Sequence, residues 1–103
     1  MDVTRHGMKK VRHRLGLPKK AVSREADRAW NEGTKPEDMP GALRHYCEVK
    51  GDDHEAVARI YGEHLFFFSE SGLLITAYPV PPKYRHALAR LRGENPHHHN
   101  ESE

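Results

Sequence analysis

The sequence predicts an α+β domain: N-terminal helices packed on a three-stranded antiparallel meander, followed by a short C-terminal helix. Two observations carry this. Through the first half of the chain, apolar residues recur at helical spacing, as in Met8, Val11 and Leu15. From Val57 onward the pattern changes to short β-branched and aromatic runs, separated by Gly62-Glu63 and Glu70-Ser71-Gly72. Helices followed by hairpin-linked strands are the signature of an α+β fold.

The elements follow in order. Thr4 suits the N-cap of a helix over roughly 5–15, which stops at Gly16, a residue able to take positive φ. Pro18 opens a second helix, with Val22, Ala26, Ala29 and Trp30 as its buried stripe and Gly33 as its end. Pro40 opens a third, shorter helix carrying Leu43, Tyr46 and Cys47 on one face, closed by Gly51. Val57–Tyr61 reads as the first strand. Gly62-Glu63 suits a two-residue II′ turn into a second strand, His64–Ser69. Leu73–Tyr78 is the third strand, stopped by Pro79-Val80-Pro81-Pro82. A last helix spans Lys83 to Arg92, with Tyr84, Leu88 and Leu91 aligned.

One domain over residues 1–92 is expected, with residues 93–103 a disordered tail lacking any apolar anchor. The hydrophobic fraction is 36% and the mean hydropathy −0.90, so the core is small. The longest aliphatic-aromatic run is Leu65-Phe66-Phe67-Phe68, too short to span a bilayer, and no signal-peptide pattern opens the chain. A cytoplasmic protein with no membrane association is the expectation. Cys47 is the single cysteine, which excludes an internal disulfide.

The middle strand is apolar on both faces: Leu65 and Phe67 point one way, Phe66 and Phe68 the other. The helices cover one face. The other calls for the C-terminal helix or a second subunit, so a homodimer is expected.

The net charge of +2 conceals a division. Residues 1–20 carry +6, residues 21–82 carry −5, residues 83–92 carry +4 and the tail −3. If the two basic segments meet in space they form one positive patch suited to phosphate. The alternative is two ordinary solvated helix faces.

Within the first helix, His6, Lys10 and Arg14 recur every four residues and share one face. Imidazole exchanges protons near neutral pH, and Lys and Arg hold phosphate oxygens. His6 is therefore the candidate acid or base, and Lys10 and Arg14 are candidate phosphate ligands. Met8, Val11 and Leu15 carry the packing, so replacing Lys10 or Arg14 is expected to cost at most about 0.5 kcal/mol. Thr76 and Tyr78 share one face of the last strand and can line a pocket. The run Lys83-Tyr84-Arg85 adds Arg85 as a phosphate ligand and Tyr84 as a stacking ring. Each of these also fits a plain structural role. Nine histidines raise the question of metal, but those of the body are scattered and only one cysteine is present, so neither metal nor another cofactor is expected.

The pattern His6-Gly7-x-x-Lys10-x-x-x-Arg14-x-Gly16-Leu17, followed by Leu74-Ile75-Thr76-Ala77-Tyr78, resembles a family of small bacterial and phage proteins similar to the RelE/BrnT-like toxins. The likeness rests on about eight positions between residues 4 and 82. Lys10 stands where that pattern has arginine, and Gly7, Leu74 and Ala77 also depart from it. The resemblance implies helices packed on a small antiparallel sheet, and an RNA-binding protein that cleaves its ligand with cationic residues rather than a metal. The segment Arg14–Val22 also looks like phage-borne proteins, a class that includes inhibitors of host defence. The alternative function is thus a non-enzymatic phage or mobile-element inhibitor that captures a host protein or a signalling nucleotide.

Overall fold

The structure is a computed structural model that describes residues 5–91, with side chains described from Gly7 onward. The expected N-cap at Thr4, the side chain of His6 and the tail from residue 93 lie outside the described residues. The fold is the α+β arrangement expected from the sequence. Helices α1 (Arg5–Leu15), α2 (Lys19–Glu32) and α3 (Gly41–His54) precede strands β1 (Val57–Tyr61), β2 (His64–Phe68) and β3 (Leu74–Pro79), and α4 (Arg85–Leu91) closes the described chain. Short 3-10 turns at Pro36–Asp38 and Pro82–Tyr84 lead into α3 and α4.

The sheet is an antiparallel meander in the order β1-β2-β3. Tyr61 pairs with His64 across a two-residue turn, where Gly62 takes φ 62° and Glu63 stays at negative φ, as a II′ turn requires. A three-residue loop, Glu70 to Gly72, joins β2 to β3, closed by Ser69 N–H donating to the Leu73 carbonyl at 2.8 Å. β3 contains a bulge: Phe67 pairs with Thr76 and Phe68 with Leu74, leaving Ile75 as an extra residue. Beyond β1, Thr34 exchanges backbone hydrogen bonds of 2.8 and 3.0 Å with Ile60 and shields that edge.

The four helices divide between the two faces. α1 and α2 cover one, where Met8, Val11, Val22, Ala26 and Ala29 pack on Phe66, Phe68, Leu74 and Ala77. α3 and α4 cover the other, where Leu43, Cys47 and Leu88 pack on Ala58, Ile60, Leu65 and Phe67. Of the two covers expected for this face, the C-terminal helix or a second subunit, the chain supplies the helix, together with α3. α3 crosses to the far face instead of joining α1 and α2. All four residues of the Leu65–Phe68 run are fully buried within one chain, so the apolar faces supply no motive for a homodimer. No described helix is long and apolar enough to cross a membrane.

The expected stop at Gly51 is also corrected. α3 continues through Gly51 to His54, and the left-handed residue that ends it is Glu55, at φ 53°. Glu55 N–H donates to the Asp52 carbonyl at 3.1 Å and Ala56 N–H to the Gly51 carbonyl at 2.8 Å, a Schellman closure with glutamate in glycine's usual place. Gly51 answers a different need. A Cβ there would sit 2.9 Å from the Ala56 carbonyl oxygen, so glycine lets the chain fold back tightly from α3 into β1.

Candidate functional site

Thr76 and Tyr78 alternate with Ala77, so their side chains emerge on the α3 face of β3. The bulge makes this possible without exposing Leu74. In a regular strand Leu74 would share the face of Thr76 and Tyr78, but the extra Ile75 returns it to the core beside Ala77. β3 is an edge strand, so the ends of helices on both faces can reach its side chains.

Arg14, in the last turn of α1, reaches Thr76 and Tyr78 from the opposite layer. Its Nη1 donates to Thr76 Oγ1 at 2.6 Å, and its guanidinium carbon lies 4.4 Å from the centre of the Tyr78 ring. Thr76 is 6% exposed, and in accepting from Arg14 it keeps its own O–H to donate. Lys50 Nζ, arriving from α3, lies 4.6 Å from the same ring centre. The two cations are thus at most about 9 Å apart, roughly one Debye length. Among the described residues neither forms an ion pair with a carboxylate. His54, one turn beyond Lys50, sets its Nε2 3.2 Å from the Tyr78 hydroxyl and its ring 5.3 Å from that of Phe67.

The arrangement is a small positive cluster whose known partners are all neutral. A guanidinium or ammonium without a carboxylate beside it remains free to take an anion, and phosphate suits both. The hydrogen-bonded Tyr78–His54 pair adds groups able to carry a proton.

Of the residues read from the sequence, Arg14, Thr76 and Tyr78 come together here. Lys10 is exposed one turn before Arg14 and extends the positive face of α1. His6 lies in the first turn of α1, its side chain outside the described residues. Arg85 is exposed at the start of α4, its backbone N–H donating to the Pro82 carbonyl, and its side chain joins no hydrogen bond or ion pair among the described residues. The two basic segments do not merge into one helical patch, because α1 and α4 pack on opposite faces of the sheet. Tyr84 has Tyr46 as its aromatic neighbour. It meets Tyr46 at a tilt, with ring centres 5.1 Å apart, and both pack against the α3–α4 core. No metal-binding group of His, Cys, Asp or Glu side chains occurs among the described residues.

Lys50 and His54 escaped the sequence reading. The signal was present: Tyr46, Lys50 and His54 recur every four residues, as His6, Lys10 and Arg14 do. Ending the helix at Gly51 took His54 out of it and hid the stripe.

A second polar group lies elsewhere, at the β1–β2 turn. His64 Nδ1 stands 2.9 Å from Glu25 Oε1, beside a shallow cleft lined by Tyr61, Gly62 and Glu63. Arg28 Nη1 donates to the Tyr61 hydroxyl at 3.4 Å. These bonds tie the hairpin to α2.

The chain matches no protein-family model, no curated protein and no solved structure.

Proposed function

We propose that this protein recognises RNA through its phosphate groups at the Arg14–Thr76–Tyr78–Lys50 cluster, and cleaves it there without a metal. The observation that carries the reading is the pair of cations beside Tyr78, drawn from two different layers and paired with no carboxylate among the described residues. A merely structural arginine in a chain with 15 acidic residues finds a carboxylate partner more readily than a threonine hydroxyl.

Cleavage would proceed by attack of a ribose 2′-hydroxyl on the adjacent phosphorus. The new P–O2′ bond forms as the P–O5′ bond breaks. The proton of the 2′-hydroxyl passes to a base, and the departing 5′-oxygen takes one from solvent. Arg14 and Lys50 would hold the non-bridging oxygens as charge builds on them. His54, through Tyr78, and His6, from the first turn of α1, are the candidates for the base.

The test is end-labelled RNA incubated with the protein in EDTA, with products separated by gel and retention measured on filters. Arg14→Ala and Lys50→Ala should each weaken binding about tenfold, the effect of about 1.4 kcal/mol. Each should also flatten the salt dependence, because one fewer phosphate is neutralised. Loss of cleavage in His54→Ala or in His6→Ala identifies the base. RNA retained intact makes the protein a binder. A cyclic oligonucleotide retained in preference to RNA favours the inhibitor of host defence. Binding unaffected by both cation variants rejects the site.

A further inference from the structure

The α3 face continues past the phosphate cluster. Tyr46 stands one helical turn before Lys50 on the same face of α3, about 6 Å along its axis. Its ring meets that of Tyr84 at 5.1 Å, and Lys83 Nζ lies 5.3 Å from the Tyr84 centre. Tyr46 and Tyr84 are half-buried, so each is held by packing without being closed off from the surface. Lys83 is exposed, and its ammonium is free to move from the ring to an arriving phosphate. Burial, with smaller contributions from Cys47, Tyr84 and Tyr78, holds the Tyr46 hydroxyl above its ordinary pKa.

Taken neighbour to neighbour, the side chains run Arg14, Tyr78, Lys50, Tyr46, Tyr84, Lys83. Cationic and aromatic side chains alternate in the manner of a single-strand track, in which charges follow the backbone and rings receive unstacked bases. A duplex keeps its bases stacked inside and has no use for half-recessed rings.

We infer that the ligand is a single strand several nucleotides long, its phosphates held at Arg14 and Lys50 and its next bases stacked along Tyr46 and Tyr84, with Lys83 at the far end. This inference rests on the phosphate-binding reading of the Arg14–Lys50 pair and extends it to a second subsite.

Fluorescence anisotropy with three labelled RNAs tests it: a single strand of about nine nucleotides, within the range of single-strand site sizes, a trinucleotide, and a duplex of the longer sequence. The longer single strand should bind more tightly than the duplex. Tyr84→Leu, which keeps the apolar bulk and removes the ring, should weaken the longer strand about tenfold, the loss of one stacked base. It should leave the trinucleotide unchanged, and so should Lys83→Gln. The exposed Lys83 keeps the test decisive if Tyr84→Leu fails to fold. Duplex binding equal to single-strand binding overturns the inference. So does a longer strand indifferent to Lys83→Gln, or an equal loss on both lengths, which would mean Lys83 acts only through the general field. Arg14→Ala measured alongside separates the two levels. If it still weakens binding about tenfold, only the track has failed; if it changes nothing, the phosphate site itself has failed.

Discussion

Arg14 behaves unlike an ordinary surface arginine. It is exposed as a residue, yet one end of its guanidinium is fixed on Thr76 and its carbon lies over Tyr78. The limit of about 0.5 kcal/mol for exposed sites therefore holds for Lys10 but is too low for Arg14. Arg14→Ala should cost about 1 kcal/mol in urea unfolding, from one hydrogen bond and one cation–π contact. Lys10→Ala should be neutral within about 0.5 kcal/mol. Cys47 has a different chemistry. Burial, with a smaller push from Glu48, raises its thiol to about 12. The folded protein should resist thiol reagents at neutral pH until it unfolds. The sign for stability follows. The unfolded thiol ionises near its ordinary 9.0, the folded one only near about 12, so between these values the unfolded chain holds fewer protons and stability falls as pH rises. Unfolding midpoints at pH 8 and pH 11 should differ less in Cys47→Ala than in the wild type.

Among the elements, α3 carried the least legible information. Its apolar stripe, Leu43 and Cys47, was plain from spacing, as were those of α1 and α2. Its end was not, because glycine serves two purposes. At Gly16 it takes φ 67° and stops a helix. At Gly51 it stays helical and yields room to the Ala56 carbonyl. Only tertiary contact distinguishes the two, and ending the helix early put His54 outside it and hid the stripe it shares with Lys50. The strands were legible nearly to the residue, since turn chemistry and period-2 alternation are local. The bulge was not, because an extra residue is defined by its partner strand. The true end of α3 makes its own prediction. Glu55 holds a left-handed conformation that costs a non-glycine residue about 1 kcal/mol. Glu55→Gly should raise stability by about 0.5–1 kcal/mol, read as a higher urea midpoint with an unchanged slope. A lower midpoint would mean that the glutamate side chain contributes more than its backbone costs.

At the scale of the whole molecule, the sheet separates two cores, each closed by its own helix pair. Neither leaves an apolar face uncovered, so folding should not require a second copy. The unfolding midpoint should be independent of protein concentration; a midpoint that rises with concentration would mean that association is coupled to folding. The location of the cluster has a further consequence for how the protein comes into being. Arg14 and Thr76 are 62 positions apart, one on the first helix and the other on the last strand. A ribosome must therefore make nearly the whole domain before the Arg14–Thr76 cluster can exist. A nascent chain carrying only α1 and α2 has Arg14 but lacks Thr76, Tyr78 and Lys50. The cluster is assembled late and all at once, when the final strand docks.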